Sequence, residues 1–576
     1  MSRVPPPARL APLPRLPRVP RLARLEVAAV RGWVARISAR LGVSERELLC
    51  LAGIVAIAAV LRFVALPVRG GFDSDQGTEM LAMRAALASG HLPVFGPEAI
   101  SVASSFHHGA LYYDLLLPAV WLGNGDPTWV VGEIALLSLI VVPVVWWIAR
   151  SIGGAAAGLS AAFLAATSAS LISYATFIWN PTLVEPGAAI ALLGAWQAVR
   201  TRRPAWWIVS AAGAAVAVQA HIAAAVILLP LAVTFLIAVR RGPATERRRI
   251  AAWGLAGVAL IVVTYLPLIV SELGDNFADT RGMLAYFSDP NSSSSAAAPL
   301  RVLFAMIRII AWPLTRWPIV DFKPAFSLAF LTASAVIIGL VWRLGVTGGL
   351  KPAKPGDAAN SLAAQGPTVD PAGIERLGTR LMSLWLLLII LALGLGLHAV
   401  SEVQGLPTEQ YHVVADPLVF VVVGLMIGGL WRPIPKRWAT IARRVAAVGA
   451  VVLLLSWNAG HWPPPTSPDG GWPAAQAAAT RLERDAGGSP MAMVPLFAEK
   501  GSDAYLYPLT RDGLTLVGPE RAGVVVLLCD TYWLQGCAGT AETDWLAANP
   551  ASAGLTQIDR FPAAPDRILT VYRRQP

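Results

Sequence analysis

Charged residues are scarce in this chain. Asp, Glu, Lys and Arg make up 14% of its 576 residues, whereas soluble globular proteins usually carry about 25%. Hydrophobic residues make up 55%, and the mean hydropathy is +0.58. So little charge excludes an ordinary soluble domain and predicts a polytopic membrane protein.

Two further features are missing. There is no Gly-rich nucleotide-binding loop in a useful context, which argues against direct use of ATP or of a cytoplasmic sugar nucleotide. The first 20 residues are rich in Pro and Arg and have no apolar core, so a cleavable signal peptide is not expected. Residues 21–40 are predicted to form an amphipathic helix with Leu22, Leu25, Ala29, Trp33 and Ile37 on its apolar face.

Long apolar runs are abundant, and several approach the ~20 residues that cross a bilayer. About eleven spans are predicted, at 48–66, 129–149, 154–177, 182–199, 205–220, 222–239, 250–270, 325–342, 381–398, 412–431 and 445–458. Many are rich in Ala and Gly, which let helices pack closely in a membrane. The fold class predicted is mainly α, a compact transmembrane bundle.

Arg and Lys cluster between these spans. Ten arginines precede the first span, and further clusters stand at 200–203, 240–249, 351–380 and 436–444. Under the positive-inside rule these segments are cytoplasmic, the N-terminus is inside and the C-terminus is outside. The net charge of +11 is explained by this topology and by contact with anionic lipids, so no nucleic-acid partner is expected.

Three regions follow from this organisation. Residues 1–47 form a basic cytoplasmic segment, 48–458 form the bundle with a first external loop at 67–128, and 459–576 form an extracytoplasmic α/β domain. A helix near 474–485 and strands at 491–497, 523–529 and 567–572 are predicted in this domain. Cys529 and Cys537 lie on the predicted oxidising face and are expected to form a disulfide, the alternative being two buried thiols; Cys50 is predicted only to pack.

Two carboxylates, Asp73 and Asp75, stand where the first span leaves the membrane. Carboxylates at a membrane surface can accept a proton from a hydroxyl group or hold a divalent cation. The alternative is a solvated acidic turn, which is common for an isolated Asp-x-Asp pair.

All seven histidines fall in predicted external loops or at the outer ends of spans. His107 and His108 share a loop with Asp73 and Asp75 and are the best candidates for direct involvement, although each histidine has an ordinary structural reading. Asp73, Asp75 and His108 are the predicted ligands of Mg²⁺, Mn²⁺ or Zn²⁺ if a metal is bound.

Cations and aromatic groups on the predicted outer side complete the candidate set. Arg62 near the end of the first span could contact Asp73, Asp75 or a phosphate, with snorkelling as the alternative. Arg84, Arg301 and Arg308 are further phosphate candidates. Arg308 is favoured over Arg301, because the apolar run 302–312 around it is predicted to lie along the interface and cover the lipid. Tyr112 and Tyr113 are read as sugar-stacking groups or as an interfacial belt, and Asn180, His221 and His412 as pocket contacts.

The first loop carries a family resemblance. The stretches Phe72-Asp73-Ser74-Asp75-Gln76-Gly77 and His107-His108-Gly109-Ala110-Leu111-Tyr112-Tyr113 resemble the first external loop of GT-C superfamily glycosyltransferases. The nearest group is the family 39-like branch, which includes protein O-mannosyltransferases and aminoarabinose transferases. One departure is Gln76, which stands where many relatives have Glu, so a second carboxylate role falls to Asp73 or Glu79.

The resemblance implies an enzyme of the plasma membrane. It would transfer a hexosyl or pentosyl group, with inversion, from a polyprenyl-phosphate donor to a cell-envelope acceptor. Asp75 would act as general base or acceptor-orienting carboxylate, with Asp73 as helper, and some relatives need no metal. The alternatives are a transporter or flippase of lipid-linked sugars and a non-catalytic assembly protein. High Ala, Arg, Gly and Pro content suggests a bacterial source with a GC-rich genome.

Overall fold

The computed structural model describes residues 32–100, 104–288, 297–316, 324–348, 370–396, 409–496, 501–531 and 540–575. The chain divides into two compact units, 1–53 and 54–576. In the first unit, the described part is a helix over 32–41 and the beginning of a helix at Glu45. The predicted helix over 21–40 is confirmed over its last nine residues, 32–40, and residues 21–31 lie outside the described residues.

The helices follow one another with short connections. The first half of the chain contains α1 (32–41), α2 (Glu45–Phe63), α3 (Leu66–Arg69), α4 (Ser74–Ser89), α5 (Leu111–Leu122), α6 (Pro127–Leu139), α7 (Val141–Gly153), α8 (Ala155–Thr167), α9 (Ala169–Tyr174), α10 (Val184–Thr201), α11 (Trp206–Ala220) and α12 (Leu228–Arg241). The second half contains α13 (Ala244–Thr264), α14 (Leu266–Gly274), α15 (Ala278–Ser288), α16 (Ala298–Thr315), α17 (Pro324–Val346), α18 (Pro371–Gly396), α19 (Asp416–Trp431), α20 (Arg437–Ala459), α21 (Gly471–Ala486), α22 (Asp503–Arg511) and α23 (Glu542–Ala548).

The protein is a multi-pass membrane protein. Among the described residues, eight helical segments are long and apolar enough to cross a membrane, and a ninth if α13 and α14, bent by 57°, count as one span. The prediction of about eleven is corrected in two ways. The segments at 154–177 and 205–220 form the helices α8 and α11, which are shorter than the other spans. Helix α2, predicted as the first span, contains four charged residues and is not counted as a span: Glu45, Arg46, Glu47 and Arg62. Conversely, α16 is long enough to span, whereas the sequence prediction placed it in a loop along the interface.

Small residues bring helices into close contact, as predicted. A Cβ atom added to Gly194 of α10 would lie 2.3 Å from the backbone nitrogen of Ser210 in α11. One added to Gly213 of α11 would lie 2.4 Å from the backbone nitrogen of Ala191. These two helices therefore touch through their backbones, which gives dense packing where the hydrophobic effect offers no drive between helices.

A small sheet domain follows the bundle, and its predicted helix and three strands are confirmed. Strands β3 (Met491–Pro495), β4 (Val524–Asp530), β5 (Leu555–Ala564) and β6 (Arg567–Arg574) form a sheet of order β3-β4-β6-β5. The pair β3 and β4 is parallel, and the other pairs are antiparallel. Its core contains Ala492, Val525, Leu527 and Tyr572. The sequence analysis missed β5, because half of its residues are exposed and only Phe561 is buried, so no regular alternation marks the strand.

A two-stranded ribbon lies in the predicted first external loop. Strands β1 (Glu98–Ile100) and β2 (Ser105–His107) pair in antiparallel register. Cys529, at the end of β4, is engaged in a disulfide, but Cys537 lies outside the described residues, so their pairing stays a prediction. The region boundaries 1–47, 48–458 and 459–576 also stay predictions.

Candidate active site

Asp73 begins helix α4 and caps it. Its Oδ1 accepts a hydrogen bond from the backbone N–H of Asp75 at 3.0 Å, and the Asp73 N–H donates to Gln76 Oε1 at 3.0 Å. This reciprocal capping box satisfies donors that a helix N-terminus otherwise leaves unpaired. The Gln76 side chain also donates to the carbonyl of Ile178 at 2.7 Å, which fixes the start of α4 against the bundle.

The same acidic turn is attached to the sheet domain. Arg567 of β6 lies with its guanidinium 3.9 Å from Asp73 Oδ2, 3.2 Å from Asp530 Oδ2 and 3.9 Å from Asp469 Oδ2. Asp469 in turn accepts the N–H of Phe72 at 2.8 Å. Asp73 is therefore used for capping and for contact with the sheet domain, and the predicted role of catalytic helper is not needed to explain it.

This reading of Asp73 makes a testable prediction. Asparagine caps helices as well as aspartate, whereas replacing a cap by alanine costs about 0.5–2 kcal/mol. We expect Asp73→Asn to keep most of the activity, and Asp73→Ala to lower the unfolding temperature. Thermal unfolding and turnover of both variants check this; loss of turnover in a stable Asp73→Asn protein would instead support the catalytic helper role.

Asp75 and Glu79 lie one turn apart on α4. Asp75 is half-buried, whereas Glu79 is buried and accepts a hydrogen bond from the Tyr112 hydroxyl group. The pKa of Glu79 is raised to about 8, mainly by burial and to a smaller extent by the negative charges of Asp75 and Asp73, against the opposing effect of the Tyr112 hydrogen bond. Glu79 is therefore mostly protonated at neutral pH and is a neutral hydrogen-bonding group close to Asp75.

The shift at Glu79 predicts a pH dependence of stability. Because the folded pKa is about 8, above the unfolded value of about 4.5, folding keeps a proton that the unfolded chain releases. The contribution of Glu79 to stability is therefore fully present below about pH 4.5 and is lost as the pH rises through 8. We expect the difference in unfolding temperature between Glu79→Gln and wild type to be more favourable to the variant at pH 8.5 than at pH 5.5. An unchanged difference between these pH values would contradict the shift.

The residues predicted as aromatic and amide contacts of the substrate are buried around Glu79 and do not face solvent. Tyr112 and Tyr113 are 1% and 3% exposed, so neither forms an interfacial belt nor offers an open stacking surface, contrary to both readings of the sequence. Asn180 is also buried; its side chain donates to the carbonyl of Ala220 at 2.6 Å, and its backbone hydrogen-bonds the Glu79 carboxyl group.

The adjacent residues His107 and His108 have different partners in the structure. His107 Nδ1 lies 2.8 Å from Asp279 Oδ1 of α15, whereas His108 is buried with its ring 5.0 Å from that of His221. His108 Nδ1 accepts the backbone N–H of Ile222 at 3.3 Å. Burial lowers the pKa of His108 well below its usual value, so its ring is neutral. His107 fixes α15 to strand β2, and His108 belongs to the interior.

His412 lies in the interior next to α16. Its ring is fully buried, 6.0 Å from Trp312, and neither ring nitrogen has a hydrogen-bond partner in the part of the chain that the structure describes. The charge of Arg308, also buried, acts on this ring. The prediction that the run around Arg308 lies along the interface is wrong, because this end of α16 packs inside the bundle.

The other predicted cations have structural partners. Arg62 is fully buried; it donates to Ser138 Oγ at 3.1 Å and to the carbonyls of Ala58, Ala165 and Ala166 at 3.1–3.2 Å. It neither snorkels nor contacts Asp73 or Asp75. Arg84 donates to the carbonyl of Arg511 in α22 at 3.2 Å, which ties α4 to the sheet domain. Arg301 lies in the first turn of α16.

Sequence reasoning missed one buried pair. Glu185 in the first turn of α10 and Asp416 at the start of α19 are both 0% exposed and interact directly, with Arg62 as the nearby cation. Neither residue is among the site residues predicted from the sequence. The position of Asp416 at the start of an apolar run, four residues after His412, is the signal that could have identified it.

The predicted metal ligands do not form a metal site. No group of three or more His, Cys, Asp or Glu side chains suited to a metal occurs among the described residues. Asp73 is bound to Arg567, and His108 faces His221. Asp73, Asp75 and His108 therefore do not form one ligand set among the described residues, and the use of a divalent cation stays a prediction.

Comparisons with known proteins agree on the fold. Residues 123–267 match the model of the dolichyl-phosphate-mannose-protein mannosyltransferase family. ArnT from Cupriavidus metallidurans in the apo state superposes with a TM-score of 0.53 at 14% identity, covering 94% of this chain and 98% of that chain. The predicted architecture, a helical membrane bundle with a C-terminal sheet domain, is thus confirmed as a fold shared with this structure. No curated protein sequence matches the chain.

Two more distant structures are also similar. The Archaeoglobus fulgidus oligosaccharyltransferase has a TM-score of 0.45 at 12% identity, over 87% of this chain and 72% of that one. The arabinofuranosyltransferase AftD from Mycobacteria has a TM-score of 0.41 at 14% identity, over 93% of this chain but only 40% of its own length.

Proposed function

We propose that this protein is a membrane glycosyltransferase that takes its sugar from a polyprenyl-phosphate donor. The observation that carries the proposal is the placement of Asp75 on a capped helix fixed to both the bundle and the sheet domain, within a fold shared with ArnT. The match of residues 123–267 to a family named for a dolichyl-phosphate-mannose donor supports the lipid-linked substrate.

In the proposed reaction, the acceptor hydroxyl oxygen attacks the anomeric carbon of the donor sugar. The new glycosidic C–O bond forms as the bond between the anomeric carbon and the phosphate oxygen breaks, with inversion. The hydroxyl proton passes to the Asp75 carboxylate, and polyprenyl phosphate leaves with the electron pair. Neutral Glu79, one turn away, limits the negative charge around Asp75. Arg308 is a candidate for balancing the leaving phosphate.

The orientation is part of the proposal. Arg200 lies in the last turn of α10, at the end away from Asn180, and Arg202 and Arg203 follow it. Arg240 and Arg241 end α12. If these arginines lie on the cytoplasmic side of the plasma membrane, Asp75 and the sheet domain lie on the outer side. Donor and acceptor would then meet at the outer leaflet. A divalent cation is not assigned, because the described residues form no site for it.

The transporter reading has less support. A transporter is expected to carry charged groups in mid-span or paired broken helices. Here the buried Arg62 lies in the last turn of its helix, and Glu185 and Asp416 lie in the first turns of theirs. Arg308, near the middle of α16, is the exception, so only the three buried charges at helix ends weigh against a transporter.

The test is sugar transfer by the purified protein in liposomes. A panel of polyprenyl-phosphate hexoses and pentoses is supplied with envelope glycan, lipid and peptide acceptors, and release of polyprenyl phosphate is measured together with glycosylated acceptor. We expect one donor class to be consumed with matching product. Movement of labelled donor across the bilayer without any sugar transfer would contradict the proposal and favour the flippase.

A further inference from the structure

A cavity of about 110 Å³ lies at the end of the bundle away from Asp75. It is formed where four membrane segments begin or end: Asn180–Thr201, Ile222–Arg241, the bent pair that starts at Ala244, and Pro371–Gly396. Since spans end at the depth of the lipid headgroups, the mouth of this cavity lies at the membrane surface.

The cavity has a cationic side and an apolar side. Arg202 and Arg241 line it with one acidic residue, Glu246, and Ile250, Leu377 and Leu381 form apolar wall. Arg202 Nη2 is buried and has no hydrogen-bond partner among the described residues. A buried donor without a partner costs about 1–3 kcal/mol, so an anion bound here would relieve that cost.

We propose that this cavity binds an anionic phospholipid, with the phosphate at Arg202 and Arg241 and the first part of the acyl chains against Leu377 and Leu381. Charge and shape favour this ligand together. A free phosphate would leave the apolar wall unused, and a choline headgroup would bring a cation toward two arginines. Lysine and arginine near an anionic leaflet each contribute about 1 kcal/mol to lipid attraction, and a guanidinium can hold a phosphate through two hydrogen bonds.

The site is independent of the proposed sugar transfer. It lies at the opposite end of α10 from Asn180, some 30 Å away for a helical segment of that length. Failure of the transferase proposal would therefore leave it standing.

The experiment uses full-length protein in phosphatidylcholine nanodiscs, titrated with phosphatidylglycerol, with retained lipid counted by native mass spectrometry after gentle delipidation. Arg202→Gln is compared with Arg203→Gln, which removes the same charge from an exposed neighbour that does not line the cavity. We expect wild type and Arg203→Gln to retain phosphatidylglycerol over phosphatidylcholine, and Arg202→Gln to bind it about tenfold more weakly.

Glu246→Gln provides a test of opposite sign. Because Glu246 lines the same cavity, removing its charge is expected to strengthen phosphatidylglycerol binding. If Arg202→Gln fails to fold, Arg241→Gln, at the exposed end of α12, is expected to give the same loss. Equal losses in Arg202→Gln and Arg203→Gln would show diffuse surface attraction and overturn the site, as would equal retention of phosphatidylcholine and phosphatidylglycerol.

Discussion

Replacement of Asp75 by Asn is expected to lower the rate of sugar transfer by about 10²- to 10⁴-fold, the usual contribution of a positioned general base. Asn has nearly the same size as Asp but cannot take the proton from the hydroxyl group of the acceptor. The change leaves the cap of α4 intact, because the cap side chain belongs to Asp73 and the Asp75 contribution to it is a backbone N–H. The unfolding temperature should therefore stay close to that of wild type.

The matched control is Asp544→Asn, the same change at an exposed acid of the sheet domain. It should leave both turnover and stability unchanged. Full transfer by Asp75→Asn would remove the base assignment while leaving the transferase proposal intact. Loss of transfer accompanied by a large fall in unfolding temperature would mean that Asp75 supports the fold instead.

The second large effect is on stability. Arg62→Met is expected to reduce the free energy of unfolding by about 3–5 kcal/mol, the usual cost of removing one partner from a buried charged group. The variant loses hydrogen bonds to Ser138 and to three backbone carbonyls. It also leaves Glu185 buried without the cation that acts on it. Equilibrium unfolding in mixed detergent micelles gives the measurement.

Two further variants separate these causes. Arg248→Met removes an exposed arginine and is expected to have little effect. Adding Glu185→Gln to Arg62→Met should restore part of the stability, because a buried amide cannot ionise and so does not need the lost cation. If the double variant is no more stable than Arg62→Met alone, the hydrogen bonds and not the charge balance account for the loss.

The candidate site shows how much a short sequence motif can predict about the roles of its side chains. The sequence identified Asp73 and Asp75 together, but the capping box divides their roles, since only the first of them sits at the N-cap of α4. It also paired His107 with His108, although consecutive residues leave a strand in different directions; one meets Asp279 and the other meets His221. Residue spacing gives the order of side chains along the chain. It does not give their partners in space, such as Arg567 for Asp73, which lies almost 500 residues earlier, because tertiary packing sets those.

The sequence by itself determined the membrane class, most of the helical segments and the α/β character of the C-terminal domain. These depend on the apolar length needed to cross a bilayer and on local residue patterns, which act over tens of residues. Only the tertiary structure decided that α16 packs inside the bundle, that Arg62 is enclosed by carbonyl groups, and that Glu185 meets Asp416. Burial and pairing of charge depend on which helices are neighbours, and helix neighbours in a membrane are chosen by side-chain packing that hydrophobicity alone does not encode.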